Sequence, residues 1–171
     1  MPRLASLHRH PDPGVRHFSG TATYRNAFDL PAAALRRGHR LFLDLGRVEV
    51  LARLIINGRP IGEVWKPPYR IDATDALRPG RNLVEVEVTN LWPNRLIGDE
   101  QLPPEYDYPA TAFGASGGIS EIPRWFIEGK PKPGPRITFA TWKHYSKDSP
   151  LLESGLLGPV RLVAAALRRF A

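Results

Sequence analysis

Two short stretches of the sequence place large aromatic residues beside polar side chains. The first is Asn90-Leu-Trp-Pro-Asn-Arg95, and the second is Trp142-Lys-His-Tyr145, which Asp148 follows. An aromatic ring offers an apolar face, and neighbouring amide, guanidinium, imidazole and carboxylate groups donate or accept hydrogen bonds. Sugar rings have the matching surface, with C–H groups on their faces and hydroxyls around their edges. These stretches therefore predict a surface that contacts carbohydrate.

The candidate residues include two further aromatic side chains at the end of a predicted strand. The full set is Trp65, Tyr69, Trp92, Asn94, Arg95, Trp142, His144, Tyr145 and Asp148. In the alternative interpretation, the aromatic side chains cover the ends of the fold or pack against a neighbouring domain, because such residues are more often structural than ligand-binding. The residues alone leave both interpretations open.

Several carboxylates lie between these two stretches. They are Asp99, Glu100, Glu105, Asp107, Glu121 and Glu128. A glycosidase needs two carboxyl groups at a fixed separation of roughly 5–9.5 Å. These residues lie in a predicted loop, which offers no rigid support for such a separation. We therefore expect no catalytic residues and no enzymatic activity in this chain, and an independent glycoside hydrolase is the less favoured alternative.

The residues alone name no metal ligand. The sequence contains no cysteine, which excludes disulfides and thiolate ligands. His8 and His10 are two residues apart in a segment that we expect to be flexible, and two such histidines are a weak indication of a metal site. Phosphate-loop, dinucleotide-binding and Ser-His-Asp motifs are not found in the sequence.

The composition is typical of a folded domain with excess positive charge. The chain has 171 residues, 42% of them hydrophobic and 24% charged, and its net charge is +7. Basic residues attract phosphate groups, but here they are scattered and match no nucleic-acid-binding motif. No apolar run reaches the roughly 18–20 residues of a membrane-spanning helix. We therefore expect neither nucleic acid nor a membrane as a partner.

Short β-strands must position the candidate residues. Hydrophobic and polar residues alternate in residues 83–89, which is the pattern of a half-buried strand. Similar patterns occur at 18–30, 40–45, 50–56, 137–141 and 160–164. Each strand must bury one face against a second sheet, so the sequence predicts an all-β fold, an antiparallel β-sandwich or jelly roll. The predicted core includes Leu41, Leu43, Leu54, Ile56, Val84, Val86 and Val88.

Turn signals separate the predicted strands, and few segments suggest helices. Asn57-Gly58 suits the positive φ angles of a tight hairpin, and Pro79-Gly80 marks another turn. Only residues 31–37 and 163–170 have a helical pattern, and residues 75–77 form one helical turn at most.

The predicted domain organisation is simple. Residues 1–14 are a flexible N-terminal segment, residues 15–165 a jelly-roll domain, and residues 166–171 a tail. A long loop rich in proline and glycine occupies about 90–136. Long loops inside compact domains are usually functional or mobile. We expect its middle, about 107–123, to be poorly ordered or to lie over a partner.

Three runs of sequence carry a resemblance to a known family. They are FSGTATYRNAFDLP from Phe18, LFLDLGRVEVLARLIINGRPIGEVWKPPYRIDATDALRPGRNLVEVEVTNLWPNRLIGDEQLP from Leu41, and TWKHYSKDSPLLESGLLGPVRL from Thr141. Together they resemble the galactose-binding-like, sugar-binding β-jelly-roll domain of family 2 glycoside hydrolases. The last run makes the chain more similar still to the C-terminal domain of rhamnosidase-type hydrolases, such as family 106. The resemblance covers about residues 15–164.

The resemblance implies a non-catalytic role beside a separate catalytic domain. It implies a carbohydrate-binding or active-site-completing accessory domain of a glycoside hydrolase that acts on plant or algal polysaccharide. A purely structural interdomain module is the alternative. The implied partners are carbohydrate and the catalytic domain of a larger enzyme, and the implied location is secreted or periplasmic as part of that enzyme. No cofactor is expected, although related domains hold a structural calcium ion, for which Asp44 or Glu49 would be the ligands here.

Overall fold

The alternating segments form antiparallel strands in the computed structural model, which describes residues 4–109 and 118–167. The strands are β1 (Thr21–Leu30), β2 (His39–Asp44), β3 (Arg47–Glu49), β4 (Leu51–Ile56), β5 (Arg59–Val64), β6 (Arg70–Asp72), β7 (Gly80–Thr89), β8 (Gly155–Gly158) and β9 (Arg161–Ala166). A four-stranded sheet has the order β1-β7-β4-β5, a three-stranded sheet has the order β6-β2-β9, and β3 pairs with β8. The predicted all-β sandwich is confirmed.

The hydrophobic core lies between the two larger sheets. On β7, the inward residue Val86 is 3% exposed and is paired with Tyr24 of β1 and Leu54 of β4. On the opposite face, the outward residue Glu85 pairs with Arg25 at 2.6 Å. All the predicted core residues are buried: Leu41, Leu43, Leu54, Ile56, Val84, Val86 and Val88.

Tight turns close the end of the sandwich at which β7 begins. Asn57 and Gly58 connect β4 to β5 with φ angles of 53° and 79°, as a two-residue hairpin requires. The amide group of Asn57 donates to the backbone oxygen of Ala76 and to Asn82 Oδ1, both at 2.9 Å. The predicted hairpin is therefore confirmed, and its side chains tie it to the start of β7.

The long loop contains more regular structure than the sequence predicted. Helix α2 (Pro93–Asp99) begins directly after β7, and helix α3 (Arg124–Ile127) lies farther along; helix α1 (Pro13–Arg16) precedes β1. Short 3₁₀ turns are found at Leu7–Arg9, Ala32–Ala34 and Thr74–Ala76. We refer to residues 90–109 and 118–154 as the insertion. Residues 110–117, within the middle segment expected to be poorly ordered, lie outside the described part of the chain.

Two predicted elements are wrong. Residues 137–141 are not a strand, and Trp142 makes only an isolated bridge with Gly118. The helical pattern at 163–170 is strand β9 as far as Ala166, paired with β2, because sheet pairing outweighs the helix propensity of alanine. The remainder of that pattern beyond Leu167 lies outside the described residues.

The N-terminal segment contacts the sandwich. The N–H of Leu7 donates to the backbone oxygen of Ser154 at 3.0 Å, and the N–H of Ser154 donates to Ser6 Oγ at 2.8 Å. Leu4 packs against the core. The prediction of a flexible segment did not anticipate these bonds.

Candidate functional site

Strand direction brings several connecting segments to one end of the sandwich. Thr89, the last residue of β7, is paired with Thr21, the first residue of β1, and with Leu51, the first residue of β4. Val64, the last residue of β5, is paired with Ala52 of β4. The segments 17–20, 65–69 and the start of the insertion therefore leave the four-stranded sheet at the same end, which we call the site end.

Two asparagines fix the start of the insertion at this end. The amide of Asn90 donates to the backbone oxygen of Phe18 at 2.8 Å, and its Oδ1 accepts from the N–H of Gly20 at 2.9 Å. The amide of Asn94, in α2, donates to the backbone oxygen of Leu152 at 2.7 Å and accepts from the N–H of the same residue at 2.8 Å. These bonds attach the start of the insertion to the segment before β1 and to Leu152 near its end.

A buried carboxylate joins α2 to the returning part of the insertion. Asp99 Oδ2 accepts from the N–H of Thr138 at 2.7 Å and from its hydroxyl at 2.6 Å. The guanidinium of Arg95, one helical turn earlier, lies 3.0 Å from Asp99 Oδ1. Burial acts to raise the pKa of Asp99, but the two Thr138 bonds and the Arg95 charge outweigh it and hold this pKa below its ordinary value. Asp99 is therefore a structural anion.

Two more carboxylates hold the same part of the insertion. Arg136 donates to Glu100 Oε1 at 2.7 Å and to the backbone oxygens of Leu102 and Pro103. Glu105 accepts from the ammonium of Lys132 and, at 2.9 Å, from the N–H of Arg136. Burial acts to raise the pKa of Glu105, but these bonds lower it below its ordinary value. Glu100 and Glu105 thus join the first part of the insertion to the part that returns to the sandwich.

A cluster of aromatic side chains packs inside the insertion. The ring of Phe139 makes edge-to-face contacts with Trp125 and Tyr106, at centroid distances of 5.1 and 5.5 Å, and a tilted contact with Phe126 at 5.3 Å. The indole N–H of Trp125 donates to the hydroxyl of Tyr106 at 2.9 Å. This packing fixes residues 125–126 against residue 139.

These elements enclose a groove of about 940 Å³ at the site end. Helix α2 contributes Arg95 and Leu96, and Trp92 directly precedes this helix. The segment before β1 contributes Phe18, and the rest of the insertion contributes residues 126 and 137–141 together with His144. Three large apolar side chains of this groove are mostly exposed: Trp92 (75%), Ile137 (70%) and Phe126 (55%). We call it the apolar groove.

The structure brings together five of the nine predicted site residues. Trp92, Arg95 and His144 line the apolar groove. Trp142 and Tyr145, with His144 again, line an adjoining small cavity of about 20 Å³ that also borders Asp99 and Arg136. Segments 90–100 and 141–149 therefore meet at one end of the sandwich.

The other four predicted residues lie elsewhere. Asn94 is 2% exposed and borders a second cleft, of about 240 Å³, instead of the groove. Asp148 is exposed outside the groove, and Tyr69 packs against the core. Trp65 is 64% exposed at the site end but follows β5, two strands from β7, where Lys66 lies 5.3 Å from its ring centroid.

Sequence reasoning missed Phe126 and Ile137 as groove residues. Ile137 begins the predicted strand at 137–141, and Phe126 follows Trp125 in a loop without a clear pattern. Their placement depends on the Asp99–Thr138 bonds, which join residues 39 positions apart in the sequence, and on the aromatic cluster, in which Phe126 contacts Phe139. The one local signal was Pro93, which suits the first turn of a helix and marks α2.

The carboxylates suggested for calcium do not fit such a site. Asp44 accepts from the guanidinium of Arg70 at 2.7 Å and from the N–H of Gly46 at 2.9 Å, and Arg70 lowers the pKa of Asp44. Glu49 pairs with Arg47 at 3.3 Å. Calcium requires six to eight oxygen ligands, and these oxygens already bind cations or N–H groups. Within residues 4–109 and 118–167, no three His, Asp or Glu side chains form a group that could hold a metal ion.

Comparisons with known proteins agree with this architecture. A protein of Formosa agariphila named "Putative beta-glucuronidase" is 45% identical over 149 residues, which are 87% of this chain and 12% of that protein. A solved structure of a rhamnosidase from Novosphingobium sp. PP1Y superposes with a TM-score of 0.74 at 37% identity, over 96% of this chain and 13% of that one. This chain thus spans about an eighth of each relative and corresponds to one domain of a larger protein.

No helix of the described residues is long and apolar enough to cross a membrane. A family model described as glycosyl hydrolase 2 galactose-binding domain-like matches residues 14–123, which include the seven strands β1 to β7 and the first part of the insertion. The chain therefore belongs to the galactose-binding-domain-like family of family 2 glycosyl hydrolases.

Proposed function

We propose that this chain is a non-catalytic accessory domain that contacts carbohydrate through its apolar groove, within a glycoside hydrolase acting on plant or algal polysaccharide. The proposal is consistent with the family of the chain and with relatives that are named as a glucuronidase and a rhamnosidase. In this proposal the groove holds part of the polysaccharide chain and works beside a catalytic domain, which is the second partner.

The observation that carries the proposal is the exposed ring of Trp92 beside polar side chains. Trp92 is 75% exposed and lines the groove together with Arg95 and His144. Ligand sites are typically concave, mostly apolar and supplied with a few polar groups, and their volumes run from about 300 to 1,000 Å³. The ring can stack on a sugar face, while the guanidinium and imidazole reach its hydroxyl or carboxylate groups.

The state of the carboxylates supports a role without catalysis. Asp99, Glu100 and Glu105 each bind a cationic side chain. A glycosidase acid must keep its proton near neutral pH, which requires a raised pKa. The pKa values of Asp99 and Glu105 are instead lowered.

A second candidate function is packing against the neighbouring domain without sugar contact. Phe126 and Ile137 are 55% and 70% exposed on the same groove as Trp92. Clustered apolar exposure of this kind is also typical of protein–protein contacts. In that case, the groove would be covered by protein in the larger enzyme.

Binding measurements on the chain separate the two candidates. We would measure binding to a panel of plant and algal polysaccharides by affinity electrophoresis, and to their oligosaccharides by calorimetry. Trp92→Ala should weaken binding at least tenfold and shift the melting temperature by less than about 2 °C, because the ring is exposed. Leu83→Ala, which removes an exposed apolar side chain on the outer face of β7, is the control. Binding to no member of the panel would favour domain packing instead.

A further inference from the structure

The apolar groove has an unbalanced set of ionisable side chains. Among the described residues that line it, Arg95 and His144 are ionisable, and none is an aspartate or a glutamate. Sugars also carry hydroxyl groups that carboxylates commonly bind, so a groove for neutral sugar would be expected to include such acceptors. A groove with only basic side chains instead matches a ligand that carries negative charge.

The guanidinium of Arg95 has donor capacity that the described protein groups do not use. Its Nη2 lies 3.0 Å from Asp99 Oδ1, yet neither that oxygen nor the buried Nε has a hydrogen-bond partner among the described residues. The contact is thus an ion pair without hydrogen-bond alignment. Buried donors are normally satisfied in folded proteins, and an exception calls for an explanation, such as a bound ion.

The remaining exposure of Arg95 is small and lies on the groove. Its side chain is 15% exposed, and the residue is part of the groove lining. The guanidinium packs closely against α2, because a side chain at Gly98 would collide with Arg95 Nη2 and with His17 Cβ. The close packing of Gly98 therefore holds the guanidinium in place, which suits a group that recognises a planar anion.

Trp92 and Arg95 are three residues apart at the start of α2. Residues at this spacing lie on one face of a helix, with about 5–6 Å between their Cβ atoms. A uronic acid has a comparable layout, because its carboxylate projects from the edge of the ring. One pyranose can therefore place its face on the indole and its carboxylate at the guanidinium.

We propose that the apolar groove selects acidic sugars, with Trp92 stacking on the ring of a uronic acid and Arg95 binding its carboxylate. The proposal rests on the function proposed above and narrows its ligand class. His144, which also lines the groove, donates a further hydrogen bond to the same anion or to a neighbouring hydroxyl. Planar carboxylates and guanidinium groups pair through two parallel hydrogen bonds, which a hydroxymethyl group cannot reproduce.

Matched pairs of ligands test this directly. The probes are methyl β-D-glucuronide against methyl β-D-glucoside, and tri-galacturonate against its methyl ester, titrated into ¹⁵N-labelled chain at low salt. We expect the acidic member of at least one pair to bind about tenfold more tightly, and to shift the Trp92 indole and Arg95 Nε resonances. Added salt should reduce the difference.

Variants complete the test. Arg95→Gln should reduce binding of the acid to the level of its neutral partner, whereas Arg81→Gln, which removes the same charge at the opposite end of the sandwich, should leave it unchanged. If Arg95→Gln does not fold, Arg95→Lys keeps a cation beside Asp99 and should still weaken the acid more than the ester. Equal binding of the acidic and neutral sugars, or an equal loss of binding in Arg81→Gln, would contradict the proposed selectivity for acidic sugars. Neither result would contradict the proposal that the groove binds carbohydrate. Binding of neither form overturns both proposals.

Discussion

Asn82 shows how one side chain sets the geometry of a whole turn. It is completely buried at the start of β7. Its Oδ1 accepts from the N–H of Arg78 at 3.0 Å and from the amide of Asn57 at 2.9 Å, and its own amide donates to the backbone oxygens of Arg78 and Gly80. Asn82, two residues after the Pro79-Gly80 turn, is therefore required by hydrogen bonding and not by ligand contact.

Asn82→Ala should destabilise the domain without changing its fold. Four hydrogen bonds are lost and buried backbone groups lose their partners, which costs about 2–4 kcal/mol. The expected fall in melting temperature is about 5–12 °C, measured by scanning calorimetry. Asp148→Ala, at an exposed position, is the control and should stay within about 0.5 kcal/mol of wild type. A comparably small change for Asn82→Ala would contradict the structural role.

At this scale the sequence allowed part of the site to be predicted. Residue type and neighbourhood were enough to place Trp92, Arg95 and His144 on one surface, because each belongs to a stretch that combines aromatic and polar side chains. They were not enough for Asn94, whose amide binds the backbone of Leu152. An asparagine that binds ligand and one that binds distant backbone look the same in sequence.

At the scale of elements, the insertion is held by ionic contacts between its two arms. The arm that begins with α2 supplies Asp99, Glu100 and Glu105, and the returning arm supplies Lys132, Arg136 and Thr138. The aromatic cluster around Phe139 is formed between the same arms. The shape of the apolar groove therefore depends on carboxylates being charged.

Acid should loosen this arrangement. Because the pKa values of Asp99 and Glu105 are lower in the folded protein than their ordinary values of 3.8 and 4.5, their contribution to stability is present above those values. That contribution is lost as the pH falls through the lower, folded-state values. The difference in urea midpoint between wild type and Asp99→Asn should thus be largest near pH 7 and shrink below about pH 4.

The exposed residue Asp148 provides the control for this measurement. Asp148→Asn should leave the urea midpoint close to that of wild type at pH 7, because this carboxylate is exposed. A difference between wild type and Asp99→Asn that stays constant from pH 7 to pH 3 would show that the charge of Asp99 does not hold the insertion.

The strands of the sandwich could be predicted because each follows a local pattern. Residues 137–141 have the same pattern for another reason: Phe139 faces the aromatic cluster, whereas Ile137 is 70% exposed. The alanines of β9 favour a helix in isolation, but β2 offers six paired positions. Both errors arise where distant contacts decide the structure.

At the scale of the whole molecule, the chain should not hydrolyse glycosides by itself. Asp99, Glu100 and Glu105 are bound to Arg95, Arg136 and Lys132, which leaves no pair among these three free to act as acid and nucleophile. Incubation with a panel of aryl glycosides should release no phenol above the rate of buffer alone. Turnover that disappears in any one of the variants Glu100→Gln, Glu105→Gln, Glu121→Gln or Glu128→Gln would instead identify an enzyme.

The tight hairpin at Asn57-Gly58 has a practical consequence. It lies at the end of the four-stranded sheet opposite Thr89, and therefore opposite the apolar groove. Nothing described lies within 4 Å of the position that a side chain at Gly58 would take. A biotin or fluorophore attached to a cysteine at the neighbouring exposed residue Arg59 would anchor the domain to a sensor chip with the groove facing the flowing solution, and the absence of native cysteines makes this labelling selective.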